Sequence, residues 1–161
     1  MRELNFNELM FIEALKRHRV AYLVIGSWSL RLHDVAINPN DIDFLIGTDS
    51  QNLQAFVGAW DATDPIPGRR VLTREACSSQ MTTVRLGAGH ADILTSIAGV
   101  DFSVALDRAK IVAIQTVHLP TLARQDLESH LLSSDRPGDR DRLELLRRVN
   151  PKTDLPPNRG R

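Results

Sequence analysis

Cysteine is almost missing from this chain: Cys77 is the only one in 161 residues. One thiol can form neither an internal disulfide nor a cysteine-based zinc cluster, which fits a reducing compartment. Aromatic residues are scarce at 5%, and that argues against a single-strand nucleic-acid platform that stacks bases on exposed rings. A charge excess is missing too, because 20 basic and 20 acidic side chains leave a formal net charge of zero. A protein that coats nucleic acid by charge alone needs a basic excess. No apolar run approaches the ~18 residues of a membrane span, so no membrane association is expected. Met1 to Glu8 carries two glutamates and no apolar core of signal-peptide length, so a cytoplasmic location is expected.

Several catalytic signatures are also lacking. There is no Gly-x-x-x-x-Gly-Lys-Ser/Thr loop, which excludes a P-loop enzyme. His18, His33, His90, His118 and His130 never fall at His-x-x-x-His spacing, which argues against zinc. No Gly-x-Ser-x-Gly nucleophile elbow is present. Gly87-Ala88-Gly89 lacks the third glycine of a dinucleotide loop and leads into a strand, so it reads as a hairpin turn.

What is present is an ordinary globular composition, 42% hydrophobic and 25% charged, at a length that suits one domain. Residues 1–149 are expected to form it, with 150–161 as a flexible Pro- and Asn-rich tail. Asn5-Phe6-Asn7-Glu8 reads as a capping box opening a helix through about Arg17. Val20 to Ile25 and Asp41 to Ile46 read as buried strands stopped by Gly26 and Gly47. Between them Trp28 to His33 reads as a short helix. Ser50 to Trp60 reads as a helix, Asp61 to Arg70 as a loop, and Met81 to Leu86 with His90 to Thr95 as a hairpin. Asp101 to Ala109 reads as a helix with an acidic cap, and Ile111 to Ile114 as a strand. Leu122 to Leu132 and Asp139 to Val149 read as closing helices. The expected fold is therefore α/β (α+β): a mixed sheet containing a hairpin, flanked by helices.

Three carboxylates and one glycine turn stand out. On a strand, residues i and i+2 point to the same face, so Asp41 and Asp43 project together. Carboxylates that close repel each other unless a cation lies between them, and a hard divalent ion such as Mg²⁺ prefers oxygen ligands. Asp92, on a later strand, could complete such a site. Gly26-Ser27, between a strand and a helix, offers backbone N–H groups and a hydroxyl to a phosphate. Asp139-Arg140-Asp141 repeats the acidic spacing, but in a helix, where i and i+2 do not share a face. Each feature has an ordinary alternative. Asp41 and Asp43 could be a solvated strand edge, Asp92 a hairpin charge paired with Arg85, and Gly26-Ser27 a plain turn. Trp28 reads as core packing rather than a base-stacking surface. His90, Ser29, Arg31 and Arg85 read as ordinary surface, and the arginines of 140–148 as a solvated helix face with an RNA groove as the alternative.

Tyr22-Leu23-Val24-Ile25-Gly26-Ser27-Trp28, followed by Asp41-Ile42-Asp43-Phe44-Leu45-Ile46, resembles the signature of the DNA-polymerase-β-like nucleotidyltransferase superfamily. His90-Ala91-Asp92-Ile93-Leu94 resembles its third-carboxylate strand. More weakly, 99–109, 119–127 and Arg136-Pro137-Gly138-Asp139 resemble small bacterial members related to abortive-infection and toxin–antitoxin nucleotidyltransferases. The resemblance implies that Asp41 and Asp43 bridge two Mg²⁺ ions, with Mn²⁺ as a substitute. It implies that Asp92 binds the catalytic metal and helps deprotonate the acceptor, while Gly26 and Ser27 hold the β- and γ-phosphates. The partners it implies are an NTP, an acceptor that is a tRNA, a protein or a small molecule, and an antitoxin or regulatory protein. The chain departs from the pattern at Ile37 and Pro39, where relatives carry an arginine and a Thr or Ser. It departs again at Leu131, where they carry a lysine, although Arg124 and Arg136 lie nearby. These departures keep open a catalytically silent protein that binds nucleotide or a protein partner, and a phosphodiester hydrolase is a third possibility.

The zero net charge is unevenly spread. Residues 136–161 hold eight basic and four acidic side chains, a charge of +4, and residues 1–135 carry the compensating −4.

Overall fold

Chain entry into the fold is set by a reciprocal pair of hydrogen bonds. The Asn5 side chain accepts the Glu8 N–H at 3.0 Å and the Glu8 carboxylate accepts the Asn5 N–H at 2.8 Å, so the expected capping box opens helix α1 (Phe6–Arg17). The computed structural model describes residues 2–64 and 81–149. After α1 come β1 (Tyr22–Ile25), α2 (Gly26–Leu32), β2 (Ile42–Ile46) and α3 (Ser50–Thr63). The second half holds β3 (Met81–Leu86), β4 (Gly89–Leu94), α4 (Phe102–Asp107), β5 (Lys110–Ile114), β6 (Val117–Thr121), α5 (Arg124–Ser133) and α6 (Asp139–Arg148). The expected tail at 150–161, most of the expected loop before Arg70, and Cys77 lie outside the described residues.

The six strands form one mixed sheet in the order β3-β4-β2-β1-β6-β5. β1 runs antiparallel to β2 and parallel to β6. β4 runs parallel to β2 and antiparallel to β3, which makes the expected hairpin across Gly87-Ala88. The architecture is thus the mixed α+β sheet with flanking helices that the sequence predicts.

The two central strands are apolar on both faces because both faces are covered. Tyr22 and Val24 of β1, Ile42, Phe44 and Ile46 of β2, and Ala91 and Ile93 of β4 join α1 and α3 in one core. Leu23, Ile25 and Leu45 point the other way and join Leu127, Leu131, Leu143 and Leu146 of α5 and α6 in a second. The scarce aromatics are concentrated in the first core. Phe11 meets Phe44 edge-on at 5.8 Å and Phe56 at 6.4 Å, and Tyr22 meets Phe44 at 5.5 Å.

Several elements differ from expectation: α2 begins at Gly26 rather than Trp28, and α4 spans Phe102–Asp107 rather than Asp101 to Ala109. α3 continues through Thr63, because the segment from Asp61 keeps the helical ladder and the Thr63 hydroxyl bonds back to the Trp60 carbonyl at 2.9 Å. α5 begins at Arg124, two residues late, with Ala123 as its N-cap at φ −58° and ψ 153°. β6 has no counterpart in the sequence reading, and it contains Pro120, a residue that sheet interiors disfavour. It forms because β5 pairs along it from Thr121 to Val117, while its other edge touches β1 only at Val24↔Thr121. The Thr121 hydroxyl donates to the Val24 carbonyl at 2.9 Å at that junction.

One buried amide ties three elements together. Asn52, on the first turn of α3, accepts the Ala21 N–H at 2.7 Å and donates to the Ala21 and Gly47 carbonyls at 3.0 and 2.9 Å. It therefore fixes the start of β1 against the end of β2. Asn52→Ala removes three hydrogen bonds and leaves the Ala21 N–H and the Gly47 carbonyl without this partner, while the Ala21 carbonyl keeps the Gly47 N–H at 3.4 Å; it is expected to cost about 1–3 kcal/mol. Urea unfolding measures this; a loss below about 0.5 kcal/mol would remove the amide from the list of structural ties.

Candidate active site

The sheet face that carries the second core also carries the carboxylates. Asp43 lies between Ile42 and Phe44, which are buried in the first core, so its side chain emerges on the opposite face together with Leu45. β2 and β4 are parallel neighbours with Asp43 in register with Asp92. Their backbones are therefore roughly 4.8 Å apart, with side chains on the same face. Asp41 immediately precedes β2 and stays half-exposed. The helices α5 and α6 cover Leu23 and Leu45 on this face but leave the carboxylate end partly open, and Asp43 and Asp92 are both half-buried.

The turn after β1 is shaped around Asp43. Ile25 is the antiparallel partner of Asp43, and Gly26 follows with φ +65°. A Cβ on Gly26 would lie 2.2 Å from Asp43 Oδ2, so the carboxylate rests directly against the bare glycine. Both the backbone conformation and the close approach require glycine here. Gly26 and Ser27 then start α2, whose N-cap Ile25 supplies no side-chain hydrogen bond.

The electrostatics single out Asp43. Its pKa is pushed up to about 6, first by burial and then by the charges of Asp92 and Asp41, with Arg136 and His90 pulling the other way. Both of the other predicted carboxylates therefore act on Asp43. Asp92 does not pair with Arg85; its register partner is Thr83, whose hydroxyl donates to Asp92 Oδ1 at 2.7 Å. Arg85 instead faces His90 across the hairpin.

Two residues join the site that the sequence reading left outside it. His90 Nε2 lies 3.5 Å from Asp41 Oδ2, so this histidine belongs to the carboxylate edge rather than to indifferent surface. Its signal was its place two residues before Asp92 on the same strand face. Arg136, in the loop between α5 and α6, acts on Asp43 from a distant part of the chain. Other candidates move away. Trp28 is fully buried core, with the Arg31 guanidinium 4.7 Å over its ring. Ser29 is fully buried rather than surface, and its hydroxyl lies 2.7 Å from that of Thr121.

The donor set matches a hard divalent cation in chemistry: three half-buried carboxylates, whose mutual repulsion such an ion removes. Asp41, Asp43 and Asp92 are the residues whose chemistry suits it. Among the described residues, no group of three or more His, Cys, Asp or Glu is placed so that it could hold a metal ion, so the three carboxylates share a face without closing on one point. Nor is any helix among them long and apolar enough to cross a membrane.

The raised pKa has a consequence for stability. An aspartate at 3.8 when unfolded and about 6 when folded binds its proton more tightly in the folded protein. Asp43 therefore lowers stability as pH rises from about 4 to 6, and the whole cost, up to roughly 3 kcal/mol, is present above pH 6. Asp43→Asn removes the ionisation while keeping the shape. At pH 7.5 the variant is expected to be about 1–3 kcal/mol more stable than the parent, with the gap shrinking towards pH 4. Urea unfolding across that range is the measurement, and a variant less stable at pH 7.5 would show the anion to be compensated.

No protein-family model matches the chain and no curated protein matches it significantly; the site's chemistry rests on its own residues.

Proposed function

We propose that the protein is a divalent-metal-dependent nucleotidyltransferase that moves a nucleoside monophosphate from an NTP to an acceptor hydroxyl. The supporting observation is the register of Asp43 with Asp92 on parallel strands, beside Asp41 and against the bare Cα of Gly26. This array joins a concentrated negative charge to a glycine turn that a phosphate could approach. It is also the arrangement implied by the resemblance to DNA-polymerase-β-like nucleotidyltransferases.

In this reading Asp41, Asp43 and Asp92 would hold Mg²⁺, as two ions. The bound cations would supply charge neutralisation for the polyphosphate and a lower pKa for the acceptor hydroxyl. The protein's own groups do the rest. Gly26 and Ser27 offer N–H groups and a hydroxyl to the β- and γ-phosphates. The acceptor oxygen attacks the α-phosphorus, the bond to the β-bridging oxygen breaks, and pyrophosphate leaves. Asp92 receives the acceptor proton, its carboxylate oriented by the Thr83 hydroxyl. The acceptor class is a tRNA, a protein or a small molecule, and a toxin held by an antitoxin in the cytoplasm is the biological setting that the resemblance suggests.

A silent nucleotide- or protein-binding module is the second reading, and one observation favours it. Pro39 and Leu131 are buried, and Ile37 packs on the second core, so these positions serve packing and supply no polar group to the site.

The test is transfer of α-labelled NTP, with each of the four bases, to total RNA, protein and small acceptors in the presence of Mg²⁺. Asp43→Asn and Asp92→Asn are each expected to lower transfer at least ~100-fold while remaining folded, since both remove a charge that acts in the transition state. Full transfer by Asp43→Asn would remove that residue from the mechanism. Binding of NTP without transfer would select the silent module, and release of nucleotide from a phosphodiester without transfer would select a hydrolase.

A further inference from the structure

The sheet ends on β5, and that end is open. β5 and β6 meet across the two-residue turn Gln115-Thr116, so Ile114 and Val117 form the closing pair. A two-residue turn makes its closing pair a hydrogen-bonded one, and antiparallel pairs then alternate. Val112↔Leu119 and Lys110↔Thr121 are therefore hydrogen-bonded pairs, while Ile111↔Pro120 and Ala113↔His118 are not. Pro120, which has no N–H, accordingly faces β5 where none is needed. The N–H and C=O groups of Ile111 and Ala113 point the other way, out of the sheet edge. Among the described residues, no strand lies beyond them and no turn, loop or side-chain hydrogen bond reaches them.

The edge is held in place from both sides. Gln115, at φ +49°, accepts the Leu4 N–H on Oε1 at 2.9 Å and donates from Nε2 to the Leu4 carbonyl at 3.2 Å. The hairpin tip is thereby tied to the buried Leu4 at the start of the chain. On one sheet face Val112 and Ile114 pack against the first core. On the other, Ile111 is 60% exposed and Ala113 is exposed beside it. Both residues whose main chain faces outward are thus apolar. Natural edges commonly protect such positions with a charge, a proline or a covering segment. The opposite edge has this protection: counted from its closing pair Leu86↔Gly89, β3 turns the main chain of the charged Arg85 outward.

We propose that the β5 edge binds a second copy of this chain, antiparallel, about a two-fold axis at Val112. The outward groups select that axis. Ile111 then opposes Ala113 of the partner subunit, and the reverse, so every outward N–H and C=O is used in four hydrogen bonds between the copies. An axis at Ile111 would set Ala113 against Ala109 of the partner subunit, whose N–H already donates to Leu106. An axis at Ala113 would set Ile111 against Gln115 of the partner subunit, which is in the left-handed turn conformation. At Val112 the charges also agree, because Lys110 meets Ile114 of the partner subunit and no like charges oppose. Ile111 and Ala113 of both copies then form one apolar strip. A five-residue edge buries less than a stable interface needs, so the dimer is expected to be weak, with Kd on the order of 10–100 μM. β5 lies three strands from β2, so the carboxylate ends stay open in both copies and the inference does not depend on the metal reading.

Sedimentation velocity of the full chain from about 1 to 500 μM should show a monomer–dimer equilibrium. Ala113→Pro removes an outward N–H that the β5–β6 ladder does not use, and Ile111→Lys places a charge on the edge. Each should weaken dimerisation at least ~10-fold, since symmetry doubles every loss, while thermal unfolding of the dilute monomer stays nearly unchanged. Disulfide trapping reads the register. In a Cys77→Ser background, Val112→Cys should cross-link under mild oxidation, because the axis sets the two copies of that position about 4.5 Å apart at Cα. Ile111→Cys should not, since its two copies lie on a diagonal of about 7–8 Å. A chain that stays monomeric at every concentration overturns the proposal and leaves the edge to a strand of different sequence. A dimer that survives both Ala113→Pro and Ile111→Lys overturns it by placing the contact elsewhere. Cross-linking through Ile111→Cys but not Val112→Cys overturns the axis at Val112.

Discussion

The register between β1 and β2 is the constraint on which the rest of this structure depends. Ile25 opposite Asp43 sets which β2 side chains enter the aromatic core and which face α5 and α6. A slip of one residue would exchange the faces, placing the Asp43 carboxylate against Phe11 and Tyr22 and pushing Phe44 towards the open edge. The two outcomes differ by the burial of a large aromatic ring and of a charge, each worth several kcal/mol. The same register places Gly26 against the Asp43 carboxylate, so the turn that ends β1 and the acid that opens β2 are a single feature. Asn52 and Thr121 reinforce it from either side: Asn52 ties the β1 start to the β2 end, and Thr121 ties β6 to the β1 carbonyl edge.

Features governed by short-range physics were legible in the sequence. The Asn5–Glu8 capping box, the Asp101 cap of α4, the two-sided apolar strands and the glycine hairpin all depend on neighbours a few residues apart, and all form near their expected positions. The common face of Asp43 and Asp92 was legible for the same reason, because strand alternation fixes it once the strands are placed. β6 was not, because Pro120 is a local argument against a strand and only the pairing with β5 outweighs it. The burial of Ser29 was hidden for a related reason, since its partner, Thr121, is ninety-two residues away. His90 and Arg136 stand between these cases. Strand spacing placed His90 on the Asp92 face but could not bring Asp41 to it. Nothing local relates Arg136 to Asp43; the packing of α5 and α6 on the sheet does.

The departures from the resembled family's pattern also have a physical account. Ile37 and Leu131 belong to the packing between the sheet and the α5–α6 face, and Pro39 is buried. Cations at 37 and 131 would enter apolar surroundings and need partners. The chain carries its positive charge elsewhere, in the segment that begins at Arg136 and totals +4. The neutral sum read from composition thus combines a negatively charged body, which includes three aspartates on one sheet face, with a positive end whose first residue, Arg136, pulls the Asp43 pKa down.

This arrangement runs against stability, and that is informative. Asp43 is more easily protonated than an exposed aspartate because burial, Asp92 and Asp41 outweigh Arg136 and His90. Asparagine at this position would keep the shape without the penalty, and a direct Arg–carboxylate pair, such as Arg142 makes with Asp139, would offset it. The fold does neither. It gives the buried Asn52 amide three hydrogen bonds, yet leaves the Asp43 charge only partly offset at a partly open edge. A locally unfavourable charge set in an otherwise consistent structure is the mark of a site shaped for a ligand rather than for folding. The ligand that would relieve it is positively charged where it meets the carboxylates, which is why the metal-dependent reading is preferred to one in which these aspartates are only surface.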